Sequence, residues 1–387
     1  MTFLEAAERL GARVCRDAVW QDDRCNWIAW HAGAGATRTH GALGPALYSG
    51  AAGIALVLLR LYAATGEPIF RRTGEAALRQ ALARRDPGAI GLFSGLAGIA
   101  YVAGCAAGIT GEPEYRRQAI EIARALAPCP SQIDIMSGSA GVIAALLALS
   151  RLEGGSALVE AARPHAGFLI HNAHRSERGW SWTTMEKCYG DLTGFAHGTA
   201  GIAFALLELF HVTGDATCRD AAWEAWRYER AWFSPAAGNW ADFRSPPRDG
   251  VPRCSVMWCA GAPGIGLARL RAWEVLRDPA CRDESQAAIR ATLEWLAGAE
   301  DSNYSLCHGL AGNAELLLDS GEPEYVRIAR GVGETGIQRY EEQGIPWPSD
   351  ELSESEHPGL MIGLAGIAHF YLRLHDANVP SVLLLTR

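Results

Sequence analysis

In SLCHGLAGN (residues 305–313) a thiol and an imidazole, Cys307 and His308, stand side by side immediately before Gly309. A second thiol, Cys259, precedes a similar glycine pattern in CAGAPGIGL (259–267). Two thiolates and one imidazole form a borderline-soft donor set of the kind Zn2+ takes, leaving a fourth tetrahedral position for water or a substrate. That chemistry requires the fold to bring together cysteines 48 residues apart; otherwise each is a small buried hydrophobe, the default for the other eight. Cys254, five residues before Cys259, is the nearest of those eight. No further Cys or His stands at the same repeat position as a fourth ligand, which favours an open site over a closed structural one.

What would position these residues is an internal repeat. G-x-x-G opens an apolar stretch seven times: YSGAAGIAL, FSGLAGIAY, MSGSAGVIA, AHGTAGIAF, CAGAPGIGL, CHGLAGNAE and MIGLAGIAH, at intervals of 43 to 63 residues. Aligned on the first glycine, the position two before it holds Tyr48, Phe93, Met136, Ala196, Cys259, Cys307 and Met361. The two cysteines therefore occupy equivalent places in consecutive repeats. The spacing accommodates two helices per unit. Segments after the glycines, such as GIAFALLELFHVTG, are more uniformly apolar, which suggests burial on most sides, whereas PEYRRQAIEIARALA (113–127) and RDESQAAIRATLEWLAG (282–298) are amphipathic. With no long alternating β-branched run, the expectation is an all-α chain of inner and outer helices over residues 1–387. Closing seven hairpins into a ring would leave no exposed ends.

The 387 residues carry a formal charge of −8, which gives no electrostatic reason to expect nucleic acid. MTFLEAAERLGARVCRD lacks the apolar core of a signal peptide, and runs such as GIALVLLRLYAATG are short of a membrane span. A cytoplasmic location without membrane insertion follows as the default, where the ten cysteines would be thiols or metal ligands rather than disulfides.

WCAGAPGIG, LCHGLAGN and the preceding GFAHGTAGIA, together with the repeated G-x-x-G, resemble the lanthionine synthetase C-like cyclases, particularly the C-terminal cyclase domain of class II lanthipeptide synthetases. The resemblance runs from DDRCNWIAW to VPSVLLLTR and includes no dehydratase region, so the expectation is a standalone cyclase, a split enzyme or an excised domain. It implies an α/α toroid of seven inner and seven outer helices, with zinc held by Cys259, Cys307 and His308. The implied reaction adds a peptide cysteine to dehydroalanine or dehydrobutyrine in a leader-bearing precursor peptide, closing a lanthionine or methyllanthionine ring. A separate dehydratase would then be a partner.

The resemblance also implies active-site roles for His197, in GFAHG, and Asp134, in DIMSGSAG. Addition of sulfur to the β-carbon builds an enolate, and a proton must reach the α-carbon. An imidazole titrating near neutrality suits that transfer, and Asp134 would fix its tautomer. The alternatives are a structural histidine and a helix N-cap.

One departure stands out. Ala260 follows the first motif cysteine where the family usually has histidine or tyrosine, and a methyl group donates no proton. Arg253 is a candidate for the arginine that some of these cyclases place upstream of that cysteine. A noncatalytic zinc-containing peptide- or thiol-binding scaffold is the alternative function. A glycosidase would need paired carboxylates and would leave the cysteines without a role. ERGWSWTTME (177–186), GNWADF (238–243) and GIPWPSDELSESEHPG (344–359) read as loops with exposed aromatic or acidic groups, lining a peptide-binding mouth or covering the ring. His357, in the last, reads as part of a surface turn.

Overall fold

The computed structural model describes residues 1–32, 38–299, 301–349 and 356–386. Its inner helices are α2 (Ala51–Thr65), α4 (Leu96–Thr110), α6 (Ser139–Glu153), α8 (Thr199–Thr213), α10 (Ala262–Leu276), α12 (Leu310–Asp319) and α14 (Leu364–His375). The outer helices are α1 (Phe3–Arg16), α3 (Pro68–Ala83), α5 (Pro113–Ala125), α7 (Ser156–His171), α9 (Ala216–Ala231), α11 (Pro279–Leu296) and α13 (Pro323–Gly336). Each outer helix α3 to α13 packs on the inner helix before it, and α1 packs on α14. The N-terminal helix thus supplies the seventh outer element, and α14 against α2 closes an α/α toroid.

Local chemistry explains the alternation. Residues 51 to 61 of α2 and 199 to 209 of α8 are buried without a break, because these helices are walled by inner neighbours on two sides and an outer helix on a third. The inner helices α2, α4, α6 and α8 each end at a left-handed glycine, with φ between 70° and 77° at Gly66, Gly111, Gly154 and Gly214. Proline then opens α3 and α5 at a position whose N–H has no intrahelical use.

The repeats meet in a closed circuit of backbone hydrogen bonds. Tyr48 N donates to Phe93 O, Phe93 to Met136, Met136 to Ala196, Ala196 to Cys259, Cys259 to Cys307, Cys307 to Met361, and Met361 back to Tyr48, at 2.7 to 3.3 Å. These are the seven residues aligned by sequence, so the repeat position is the rim of the toroid. Just before it in each repeat stands a buried apolar residue: Leu47, Leu92, Ile135, Phe195, Trp258, Leu306 or Leu360. The carbonyl of that residue lies over the second glycine of its motif. A Cβ on Gly98 would sit 1.9 Å from Leu92 O, and one on Gly312 would sit 1.8 Å from Leu306 O. The motif glycines therefore allow each loop to fold onto its own helix start.

The opposite end of the ring is plugged by the C-terminal segment, whose residues 382 to 385 are buried. Arg60 donates to Pro380 O (3.0 Å), Arg373 to Val379 O (3.2 Å) and Arg151 to Leu385 O. The motif residues lie at the other end, where the inner helices begin. Among the described residues no helix is long and apolar enough to cross a membrane.

Between the helices, the described residues also form nine short strands: β1 (Val19–Gln21), β2 (Arg24–Asn26), β3 (Ile28–Ala32), β4 (Arg38–Ala42), β5 (His174–Ser176), β6 (Gly179–Ser181), β7 (Phe233–Ser234), β8 (Asn239–Asp242) and β9 (Arg253–Cys254). Two to five residues are too few for alternation to register in sequence. They pair antiparallel as three hairpins and a β7-β8-β9 sheet. Of the aromatic groups read as exposed, Trp182, Trp240 and Trp347 are buried, each at most 2% exposed. Residues 350–355 of the acidic segment lie outside the described residues. His357 is buried rather than in a surface turn, and its Nδ1 accepts the Gly359 N–H at 2.9 Å.

Candidate active site

The circuit of rim hydrogen bonds makes Cys259 and Cys307 direct neighbours, Cys259 N donating to Cys307 O at 3.3 Å. Their side chains meet as well. The Cys307 thiol donates to the Cys259 sulfur, drawing Cys259 down to about 7 against the opposing effect of burial, with Arg244 and His197 acting in the same direction. Cys307 is correspondingly pushed up by that bond and by burial, although a hydrogen bond with Tyr48 opposes the rise. Tyr48 holds the equivalent position of the first repeat, two steps along the rim from Cys307.

Asp134 and His197 come from the third and fourth repeats. His197 Nδ1 donates to Asp134 Oδ2 at 2.6 Å, while Asp134 Oδ1 accepts from the backbone N–H (2.7 Å) and hydroxyl (2.9 Å) of Ser137. Asp134 is 2% exposed and so has few options but these. Helix α6 is capped by Gly138, so Asp134 organises the turn before the helix and orients His197 as well. Thr184 fixes the same residue from behind by donating to His197 O. The remaining imidazole nitrogen belongs to a side chain 30% exposed, at a cavity shared with Cys259, Ala260, Gly194, Asp242 and Arg244.

Arg244 was not singled out in the sequence. It follows β8 and is held by Asp242, which receives its Nε (3.0 Å) and Nη2 (2.8 Å) as well as the Ser255 hydroxyl at 2.5 Å. Its Nη1 is 3.8 Å from Cys259 Sγ. Burial would weaken its charge, but Asp242 and Cys259 raise its affinity for the proton above that of a free guanidinium. Arg253, the arginine expected near the first cysteine, is exposed on β9 opposite Asp242. Strand pairing, rather than distance along the chain, brings the other arginine to the thiol. Cys254 pairs with Ala241 on the same sheet. Ala260 is 6% exposed and packs on Gly194, where an added Cβ would lie 2.7 Å from its Cα.

Two thiols in contact, one drawn toward its thiolate, with an imidazole on the next residue, are a donor set that suits Zn2+. Among the described residues no three His, Cys, Asp or Glu side chains are gathered into a finished metal site. The His308 backbone is anchored by donation to Ser305 Oγ at 3.3 Å.

The profile of the family described as Lanthionine synthetase C-like protein matches residues 41–384. The chain belongs to that family. It shares its fold with a solved structure titled Nisin cyclase, which superposes with a TM-score of 0.70 at 18% identity, over 88% of this chain and 92% of that one. A segment of 200 residues is 25% identical to the Lacticin 481/lactococcin biosynthesis protein LcnDR2 of Lactococcus lactis subsp. lactis, spanning 48% of this chain and 21% of the relative. Another of 125 residues is 30% identical to the Glutathione S-transferase LANCL1 of Danio rerio, spanning 32% of this chain and 29% of the relative. The matches thus span less than a third of the length of either curated relative. A family 76 glycoside hydrolase shares the toroid at a TM-score of 0.54 and 10% identity. In this lanthionine synthetase C-like chain, however, Asp242 is the one carboxylate that lines the cavity among the described residues, and it is bound to Arg244.

Proposed function

We propose that this chain is a zinc-dependent peptide cyclase, adding cysteine thiols of a dehydrated, leader-bearing precursor to dehydroalanine or dehydrobutyrine. The observation that carries the reading is the opening of His197, oriented by Asp134 at 2.6 Å, into the cavity that holds Cys259. Cys259, Cys307 and His308 would hold the ion. Zinc, when bound, would supply a substrate thiolate at neutral pH.

The chain's own groups account for the rest. As the sulfur bonds to the β-carbon, the π electrons of the dehydro residue pass to the α-carbon and onto its carbonyl oxygen. His197 delivers a proton to the α-carbon, and Asp134 stabilises the imidazolium that precedes this transfer. The proton lost by the substrate thiol restores His197, so a turnover consumes no co-reactant. The ten free thiols are in keeping with a reducing, cytoplasmic setting. The dehydro residues must be made by a dehydratase, on this polypeptide or another.

Ala260 favours a second reading, a zinc-containing scaffold that binds peptides or thiols without turnover, because the side chain after Cys259 offers no proton. Incubation with dehydrated precursors bearing matched leaders separates the two. A cyclase removes free thiols from the peptide and gives the fragmentation pattern of closed rings, whereas a scaffold binds the peptide and leaves its thiols labelled.

A further inference from the structure

We propose that Arg244 is the oxyanion donor of this site, placing a guanidinium N–H on the carbonyl oxygen of the dehydro residue as the carbon–sulfur bond forms. The inference rests on the cyclase reading and assigns a residue for which the sequence offered no signal. It answers a specific need. The enolate that precedes protonation carries its charge on oxygen, and the residue after Cys259, Ala260, has only a methyl group and donates no hydrogen bond to it.

Three features give Arg244 this role. Its guanidinium cannot swing, because Nε and Nη2 both engage Asp242, and Asp242 is itself held by the Ser255 hydroxyl and is 8% exposed. This clamp leaves Nη1 as the outward edge, and that atom faces Cys259 Sγ at 3.8 Å. Finally, Arg244 and His197 line the same cavity, so a dehydro residue seated over Cys259 meets a fixed cation and a proton donor. A donor already oriented before reaction needs no reorganisation as charge develops, which is why such groups act chiefly on the transition state.

The bonding balances. Sulfur donates an electron pair to the β-carbon, the Cα=Cβ π pair moves into the enolate, Nη1–H donates a hydrogen bond to the enolate oxygen, and His197 protonates the α-carbon as the carbonyl re-forms. Arg244 is neither deprotonated nor consumed. Asp242 and Ser255 are positioning residues that keep the guanidinium edge in place.

The test uses the zinc-loaded chain, one dehydrated leader-bearing peptide and single-turnover ring closure, with zinc content and peptide affinity measured on the same preparations. Arg244→Gln is expected to keep its zinc and to bind the peptide within a few-fold of the unaltered chain, while closing rings about 10²- to 10³-fold more slowly. Arg244→Ala should recover part of its rate with millimolar guanidinium but not with ammonium at the same ionic strength, a response that loss of a merely structural ion pair would not give. Asp242→Asn should keep zinc and lose an intermediate part of the rate. An unaltered closure rate in zinc-loaded Arg244→Gln overturns the assignment, as does loss of zinc in parallel with rate, which would make Arg244 a support for Cys259. Failure of the unaltered chain to close any ring overturns the cyclase reading together with this one.

Discussion

His197 Nδ1 donates to Asp134 Oδ2 at 2.6 Å, although the two residues are 63 positions apart and belong to different repeats. The bond fixes which imidazole nitrogen faces the cavity. His197→Ala should therefore retain zinc and substantial peptide affinity while losing about 10²-fold or more in ring closure, the scale for removal of a positioned acid or base. Asp134→Asn should show a smaller loss that varies with pH. Single-turnover rates measured beside zinc content decide the matter; near-normal closure by zinc-loaded His197→Ala would remove His197 from proton transfer.

Cys259 and Cys307 act as a pair. Either Cys259→Ala or Cys307→Ala should sharply reduce zinc in protein purified without added metal, with helical circular dichroism preserved because the inter-helix contacts lie elsewhere. His308→Ala should lower zinc content too. Elemental analysis is the measurement, and full zinc in both cysteine variants would refute the ligand assignment.

Matched alanine substitutions test the role given to the motif glycines. Gly98→Ala would place a Cβ 1.9 Å from Leu92 O and should destabilise by about 1–3 kcal/mol or more. Gly108, in the same helix, has nothing within 4 Å of an added Cβ, so Gly108→Ala should stabilise by about 0.5–1 kcal/mol through helix propensity. Chemical denaturation of the two variants should give opposite signs; equal effects would contradict the account.

The fully buried His165, whose Nδ1 lies 3.0 Å from Ser139 Oγ, gives a pH prediction. Burial lowers its pKa to about 4 from 6.5. Between those values the unfolded chain binds the extra proton, so stability is intact above pH 6.5 and declines as pH falls toward 4, at up to about 1.4 kcal/mol per pH unit. His165→Leu should flatten that part of the profile relative to the unaltered chain. Identical slopes between pH 4 and 6.5 would show that His165 is not the group responsible.

The sequence was most informative where the chain repeats. Aligning the G-x-x-G motifs placed Cys259 and Cys307 side by side, because the aligned position is the one through which the rim hydrogen bonds pass. His197 and Asp134 were reached only through family resemblance, since nothing in their spacing links a turn carboxylate to an imidazole 63 residues later. Arg244 was hidden for a different reason. Strands of four and two residues carry no readable period, yet their pairing folds Arg244 back onto Cys259 and leaves Arg253, closer along the chain, facing outward. His357 misled because polar neighbours and a proline resemble a turn, whereas its loop is folded against the rim and uses the imidazole to satisfy a backbone N–H. The C-terminal plug was likewise invisible as periodicity, being set by Arg60 and Arg151 from helices distant in sequence as well as by Arg373, six residues before Val379.

The most direct test of the central claim is free-thiol loss from one dehydrated, leader-bearing peptide incubated with the zinc-loaded chain, compared with the same peptide carrying unmodified serine and threonine. The account predicts that thiol labelling disappears only from the dehydrated peptide, with no change in its mass and with fragmentation showing closed thioether rings. Persistent labelling of a dehydrated peptide that the zinc-loaded chain demonstrably binds would contradict the claim and leave a binding scaffold in its place.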